Sequence, residues 1–139
     1  MKLHIAIVCA LIGLAALANS TATYRDSLGR NQGSARTQGN STTYRDAQGR
    51  LQGTAQTSSA GTTYRDAQGR LQGTSRTDTS GRTTYRDSLG RLQGTATTDA
   101  SGRITFRDAQ GRLQGTATTD SSGRVTYRDA QGRLKGTKK

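Results

Sequence analysis

Six Arg-Asp dipeptides, each directly behind an aromatic residue, are the groups best placed to do chemistry in this 139-residue chain. They stand at Arg25-Asp26, Arg45-Asp46, Arg65-Asp66, Arg86-Asp87, Arg107-Asp108 and Arg128-Asp129. A guanidinium presents a planar fork of donors that pairs in bidentate fashion with phosphate, sulfate or carboxylate. Arg25, Arg45, Arg65, Arg86, Arg107 and Arg128 are therefore the candidate polyanion ligands. The carboxylates point to a different task, because each precedes a Gly by three residues: Asp26 and Gly29, Asp46 and Gly49, Asp66 and Gly69, Asp87 and Gly90, Asp108 and Gly111, Asp129 and Gly132. Asp accepts hydrogen bonds from nearby backbone N–H groups and Gly takes positive φ freely, so these pairs read as turns. Past residue 18 the chain contains no His, Cys or Glu, which leaves no catalytic set to activate a nucleophile and no soft metal ligand set. Calcium needs six to eight oxygens, which Asp residues spaced for turns do not supply. The expectation is a protein that is not an enzyme, with no cofactor and no metal.

Charge points the same way. The chain carries 21 Lys+Arg against 9 Asp+Glu, a net +12, and 17 of the 21 basic residues are Arg. A strongly basic surface attracts acidic partners, here acidic polysaccharide, lipopolysaccharide or extracellular nucleic acid. The competing reading is that Arg keeps a β-protein soluble and pairs with Asp inside the sheet.

The first 18 residues differ in kind from the rest. Lys2 precedes the apolar run from Ile5 to Ala18, and Ala16-Leu17-Ala18 has the small-x-small form of a cleavage site. The run is too short for a spanning helix, which needs about 20 residues. Residues 1–18 are therefore expected to be a cleaved signal peptide that takes His4 and Cys9 with it, leaving residues 19–139 as a β-repeat domain with no membrane span. The protein is expected in the periplasm, outside the cell or at its surface.

The elements that position the Arg-Asp pairs are repeats. The aromatic position recurs at Tyr24, Tyr44, Tyr64, Tyr85, Phe106 and Tyr127, giving six units of 20–21 residues that begin near 23, 43, 63, 84, 105 and 126. Asp-x-x-Gly-Arg occurs again in the second half of later units, at Asp78–Arg82, Asp99–Arg103 and Asp120–Arg124. It suits a type I turn closed by a left-handed Gly, a common hairpin connection. Between turns, Thr, Tyr, Val, Ile and Leu favour strands. Alternation puts Leu113, Gly115 and Ala117 on one face and Arg112, Gln114, Thr116 and Thr118 on the other. Likewise Val125 and Tyr127 oppose Arg124, Thr126 and Arg128. A ring residue can lie over the Gly of a facing strand.

Two all-β architectures satisfy this pattern. One is a long twisted meander sheet of about twelve strands. The other is a stacked β-solenoid, whose ladders would include Gln32, Gln52, Gln72, Gln93 and Gln114. Past residue 18 only 7 Leu, 1 Ile, 1 Val, 1 Phe and 5 Tyr are available for a core. Burying one such side chain gives roughly 1.5–3 kcal/mol, against about 1–2 kcal/mol to order one residue, so composition alone matches an unfolded chain. The regular repeat favours ordered strands. Lys135, Lys138 and Lys139 read as a cap that blunts the edge of the last strand, or as a short anion-binding tail.

The string Tyr-x-Asp-x-x-Gly-Arg-Leu, followed by Asp-x-x-Gly-Arg-x-Thr-x-Tyr, resembles the YD (RHS-type) repeats of secreted bacterial proteins. The resemblance covers about residues 23 to 139. It implies strand-turn-strand units joined into a long curved sheet, a sheet that in large members encloses a toxin. The Arg between aromatic and Asp departs from that family, and six units are expected to be too few to close a shell. In architecture alone the chain is similar to curli-type functional amyloid subunits. Together these readings lead to an exported structural or adhesive protein that self-associates or binds acidic envelope and matrix polymers. The alternative is a soluble, monomeric periplasmic binding or stress-response factor.

Overall fold

The computed structural model describes residues 19–139, so the expected signal peptide lies outside the described residues. Their regular structure is entirely strand. The strands are β1 (Ser20–Asp26), β2 (Asn31–Gln38), β3 (Ser41–Asp46), β4 (Leu51–Ser58), β5 (Gly61–Asp66), β6 (Leu71–Thr77), β7 (Arg82–Asp87), β8 (Leu92–Thr98), β9 (Ile104–Asp108), β10 (Leu113–Thr119), β11 (Val125–Asp129) and β12 (Leu134–Lys138). Each pairs antiparallel with its sequence neighbours, giving an all-β meander of two strands per unit. The meander does not remain open: β1 also pairs with β12, and the twelve strands form a closed barrel.

Closure corrects two expectations, the open sheet and the stacked solenoid. A solenoid would set equivalent strands side by side, whereas here tight turns pair each strand with its own successor. Equivalent strands of successive units lie two strands apart, about 9–10 Å, with another strand between them. The register accounts for the curvature. Tyr24 faces Gly33 and Gly33 faces Asp46, so pairing advances two residues per unit. A stagger of one sign tilts the strands and coils the sheet until its ends meet. Six units therefore suffice. The seam joins Tyr24 to Lys138, Arg25 to Thr137 and Asp26 to Gly136. It is extended by the Thr23 N–H bond to the Lys139 carbonyl at 2.7 Å and the return bond at 3.1 Å. The last strand is thus paired on both sides, and its lysines blunt no free edge.

The ring residues point inward. Tyr44, Tyr64 and Tyr85 are buried, together with Ala35, Ala55, Ala96, Ala117, Ile104 and Val125. Each ring lies opposite a glycine: Tyr64 pairs with Gly73, Tyr85 with Gly94 and Phe106 with Gly115. Those glycines leave no room for a side chain, because a Cβ on Gly73 would collide with the Arg86 carbonyl oxygen and one on Gly94 with that of Arg107. The core forms two clusters. One centres on Tyr44 and Tyr64, with Tyr24 against it; the other on Tyr85, Ile104 and Val125, with Phe106 and Tyr127 against it. Threonine pairs line the interior beside the first cluster, with Thr37 to Thr42 at 3.0 Å and Thr57 to Thr62 at 3.1 Å between hydroxyl oxygens. In later units Ile104 and Val125 take the second member's place, opposite Thr98 and Thr119.

The outward face carries Arg, Thr, Ser and Gln, with exposed leucines at one end only, unlike the apolar outer band of a membrane-spanning barrel. No helix among the described residues is long and apolar enough to cross a membrane.

Candidate functional site

The connections that follow β1, β3, β5, β7, β9 and β11 gather at one end, the lower rim. Their geometry repeats from unit to unit. In the third unit the Asp66 carbonyl accepts the Gly69 N–H, and the Asp66 N–H donates to the Arg70 carbonyl, both at 3.0 Å. Gly69 sits at φ 81°, and the equivalent Gly29, Gly49, Gly90, Gly111 and Gly132 lie between 78° and 82°. The Asp66 side chain closes the turn from inside. Its Oδ1 accepts the Gln68 and Arg70 N–H groups, both at 2.9 Å. Its Oδ2 accepts Arg70 Nε at 2.7 Å and Gln72 Nε2 at 3.2 Å.

Asp26, Asp46, Asp87 and Asp108 are held in the same way by Arg30, Arg50, Arg91 and Arg112, each at 2.7 Å. Desolvation pushes these carboxyl groups up, but the arginine and backbone N–H donors outweigh it and hold them below the ordinary 3.8. In the sixth unit Lys135 stands where the other units have Gln, apart from unit order the same position, and Arg133 Nε is 4.0 Å from Asp129 Oδ2.

The six candidate arginines play another part. Arg25, Arg45, Arg65, Arg86, Arg107 and Arg128 each donate Nη1 to the carbonyl of the turn glycine four residues on, at 2.8–2.9 Å. All six are exposed. A neutral carbonyl orients each of these guanidinium groups, while the nearby carboxylate is occupied by the arginine after the turn. Internal Asp pairing therefore falls to Arg30, Arg50, Arg70, Arg91 and Arg112. Sequence reasoning missed both these arginines and the glutamines that share the carboxylate.

The glutamines correct a second expectation. Tyr64 pairs with Gly73 but Arg65 pairs with Leu71, so Gln72 is an extra residue in a β-bulge. The bulge turns Gln72 toward Asp66 instead of into a ladder, and it reverses the alternation before it. Leu113, expected on the face of Gly115 and Ala117, instead pairs with outward-facing Arg107. Leu51, Leu71, Leu92, Leu113 and Leu134 are each 39% exposed, beside the candidate arginines.

The other end, the upper rim, is built differently. Gly39-Asn40 and Ser59-Ala60 make two-residue turns, since Gln38 pairs with Ser41 and Ser58 with Gly61. The remaining connections repeat the Asp-x-x-Gly-Arg turn, but Ser80, Ser101 and Ser122 hydroxyls donate to Asp78, Asp99 and Asp120 at 2.6–2.7 Å. Those hydroxyl bonds are the largest cause of the lowered carboxyl pKa there. Near the seam, burial pushes the Tyr24 hydroxyl up to about 12. Burial also lowers Lys138, which occupies the position of an inward Ala.

Residues 65–104 match the family model RHS Repeat. That segment, about two of the six units, is similar to RHS-type repeats. The matched segment runs from Arg65 to Ile104 and so includes two lower-rim turns, at Asp66 and Asp87. No curated protein matches the chain. Eleven chains of known structure are similar to it. One is an alternansucrase in complex with isomaltotriose, 24% identical, over 81% of this chain and 10% of that one, with a TM-score of 0.23. The chain thus spans a tenth of the length of that structure.

Proposed function

We propose that this β-repeat protein is exported, is not an enzyme, and uses its lower-rim arginines to hold acidic polymers of the envelope or matrix in a structural or adhesive role. One observation carries the reading: six equivalent guanidinium groups circle one rim, each oriented by a glycine carbonyl and none claimed by a carboxylate within 4.0 Å. Orientation lowers the entropy lost on binding, and the remaining donors of each fork are suited to sulfate, phosphate or carboxylate. Acidic polysaccharide, lipopolysaccharide and extracellular nucleic acid share that chemistry.

The test is salt dependence. Binding to heparin is expected to weaken steeply as salt rises, and Arg86→Gln/Arg107→Gln/Arg128→Gln is expected to flatten the slope of log K against log salt by about 2, since each contact contributes roughly 0.7–0.9. An unchanged slope refutes the assignment. A second reading, a soluble monomeric binding factor, is favoured by closure: pairing of β1 with β12 occupies the edges through which strands of separate copies would join.

A further inference from the structure

Every exposed large apolar side chain among the described residues is a leucine at the lower rim. Five follow the turns and form the collar beside the arginines. The other two, Leu28 and Leu89, occupy turn tips and are 73% and 74% exposed. The equivalent tip positions of the other units carry Gln48, Gln68, Gln110 and Gln131. Leu28 belongs to the first unit and Leu89 to the fourth, so in a closed ring of six units they stand half a turn apart. Two apolar points on opposite sides of a ring meet a flat surface together. The upper rim also carries exposed arginines, Arg82, Arg103 and Arg124, but among the described residues no large apolar side chain is exposed there.

We propose that the lower rim seats on an anionic lipid leaflet: the Leu28 and Leu89 tips enter the headgroup boundary while the arginine ring binds lipid phosphates. The proposal rests on the anion-binding reading of the arginines and names the surface they meet. Charge complementarity selects an anionic leaflet over a neutral one, and the leucines distinguish a lipid surface from a soluble polyanion. Apolar burial and phosphate pairing act on the same end of the barrel, as in other interfacial binders.

The experiment compares variants of the full chain for binding to vesicles of phosphatidylglycerol and phosphatidylcholine (1:1), to phosphatidylcholine alone, and to heparin. Residues 1–18 are identical throughout, so differences report on the rim. Leu28→Gln/Leu89→Gln installs the residue that sister units already carry, which preserves the turn. It is expected to weaken binding to anionic vesicles about tenfold, as two partly inserted leucines would, with heparin binding unchanged. Gln48→Leu/Gln110→Leu places a second opposed pair and is expected to tighten vesicle binding by a similar factor, a gain that misfolding would not produce. Equal vesicle affinity for parent and both leucine variants, or equal binding to anionic and neutral vesicles, overturns the lipid inference. If heparin binding keeps its arginine dependence in that case, the polymer reading stands. Loss of arginine dependence on heparin overturns that reading separately.

Discussion

The same five-residue string makes turns at both rims, and the two rims treat its charge differently. At Asp66 and at Asp99 the backbone bonds are alike: Gly69 and Gly102 each donate to the Asp carbonyl at 3.0 Å, with φ 81° and 80°. The carboxylates then diverge. Asp66 binds the Arg70 guanidinium and the Gln72 amide, which a bulge delivers. Asp99 binds the Ser101 hydroxyl instead, at 2.6 Å. Among the described residues every Arg–Asp ion pair within 4.0 Å lies at the lower rim. Asp-x-x-Gly-Arg thus specifies a backbone shape, whereas the residues around it decide which charges are neutralised. At the lower rim one arginine per unit pairs with the carboxylate, and its neighbour before the turn is held by a glycine carbonyl, the arrangement on which the proposed anion binding rests.

The largest expected effect falls on the glycines opposite the rings, which recur toward the lower-rim ends of the strands. Gly94→Ala places a Cβ against the Arg107 carbonyl oxygen, a backbone atom that cannot swing aside. Chemical denaturation is expected to show a loss of about 2–4 kcal/mol. Next come the turn glycines, where the rims should agree. Gly69→Val and Gly81→Val meet no neighbouring atoms but hold φ 81° and 79°, so each is expected to cost about 1–2 kcal/mol, and to a similar extent. Unequal losses would mean that the shared backbone geometry does not govern both turns.

The carboxylates should separate the rims again. Asp66→Asn keeps an acceptor toward the backbone but sets an amide N–H against the Arg70 and Gln72 donors, so thermal melting is expected to fall further than for Asp99→Asn. Acidification probes all of them together. Asp26, Asp46, Asp66, Asp78, Asp87, Asp99, Asp108 and Asp120 titrate below their ordinary 3.8 in the folded chain. A depressed carboxyl pKa stabilises the fold fully above the unfolded value, and that contribution disappears as pH falls through the lower folded value. Melting temperature measured against pH should therefore hold down to about pH 4 and drop below it, with a shallower drop in Asp66→Asn.

Much of this was legible in the sequence, for reasons that also explain the misses. The repeat, the strands and the positive-φ glycines follow from local chemistry: Asp and Gly at fixed spacing, and a Thr-rich stretch between them. The face of Leu113 was not legible from alternation, because one extra residue at Gln114 reverses the phase of everything before it. The recurring Leu-Gln-Gly triplet was the available signal, a residue with no side chain directly after the inserted one. Closure was also hidden. It depends on a stagger of two residues summed over all six units, and no single hairpin displays where the accumulated curvature returns β12 to β1. The partner of each Asp lay equally out of reach: an Arg stands on both sides of the turn, and only the folded register shows that Arg70, not Arg65, takes the carboxylate.

A paired salt titration separates the roles of the two neighbouring arginines. Arg65→Gln/Arg86→Gln/Arg107→Gln and Arg70→Gln/Arg91→Gln/Arg112→Gln remove the same charge from the same rim. Heparin binding followed across a salt series is expected to lose about 2 from its log–log slope in the first variant. The second should lose much less slope while melting at a lower temperature, because its arginines hold Asp66, Asp87 and Asp108. Equal losses of slope in the two variants would contradict the account, since net charge alone would then explain binding.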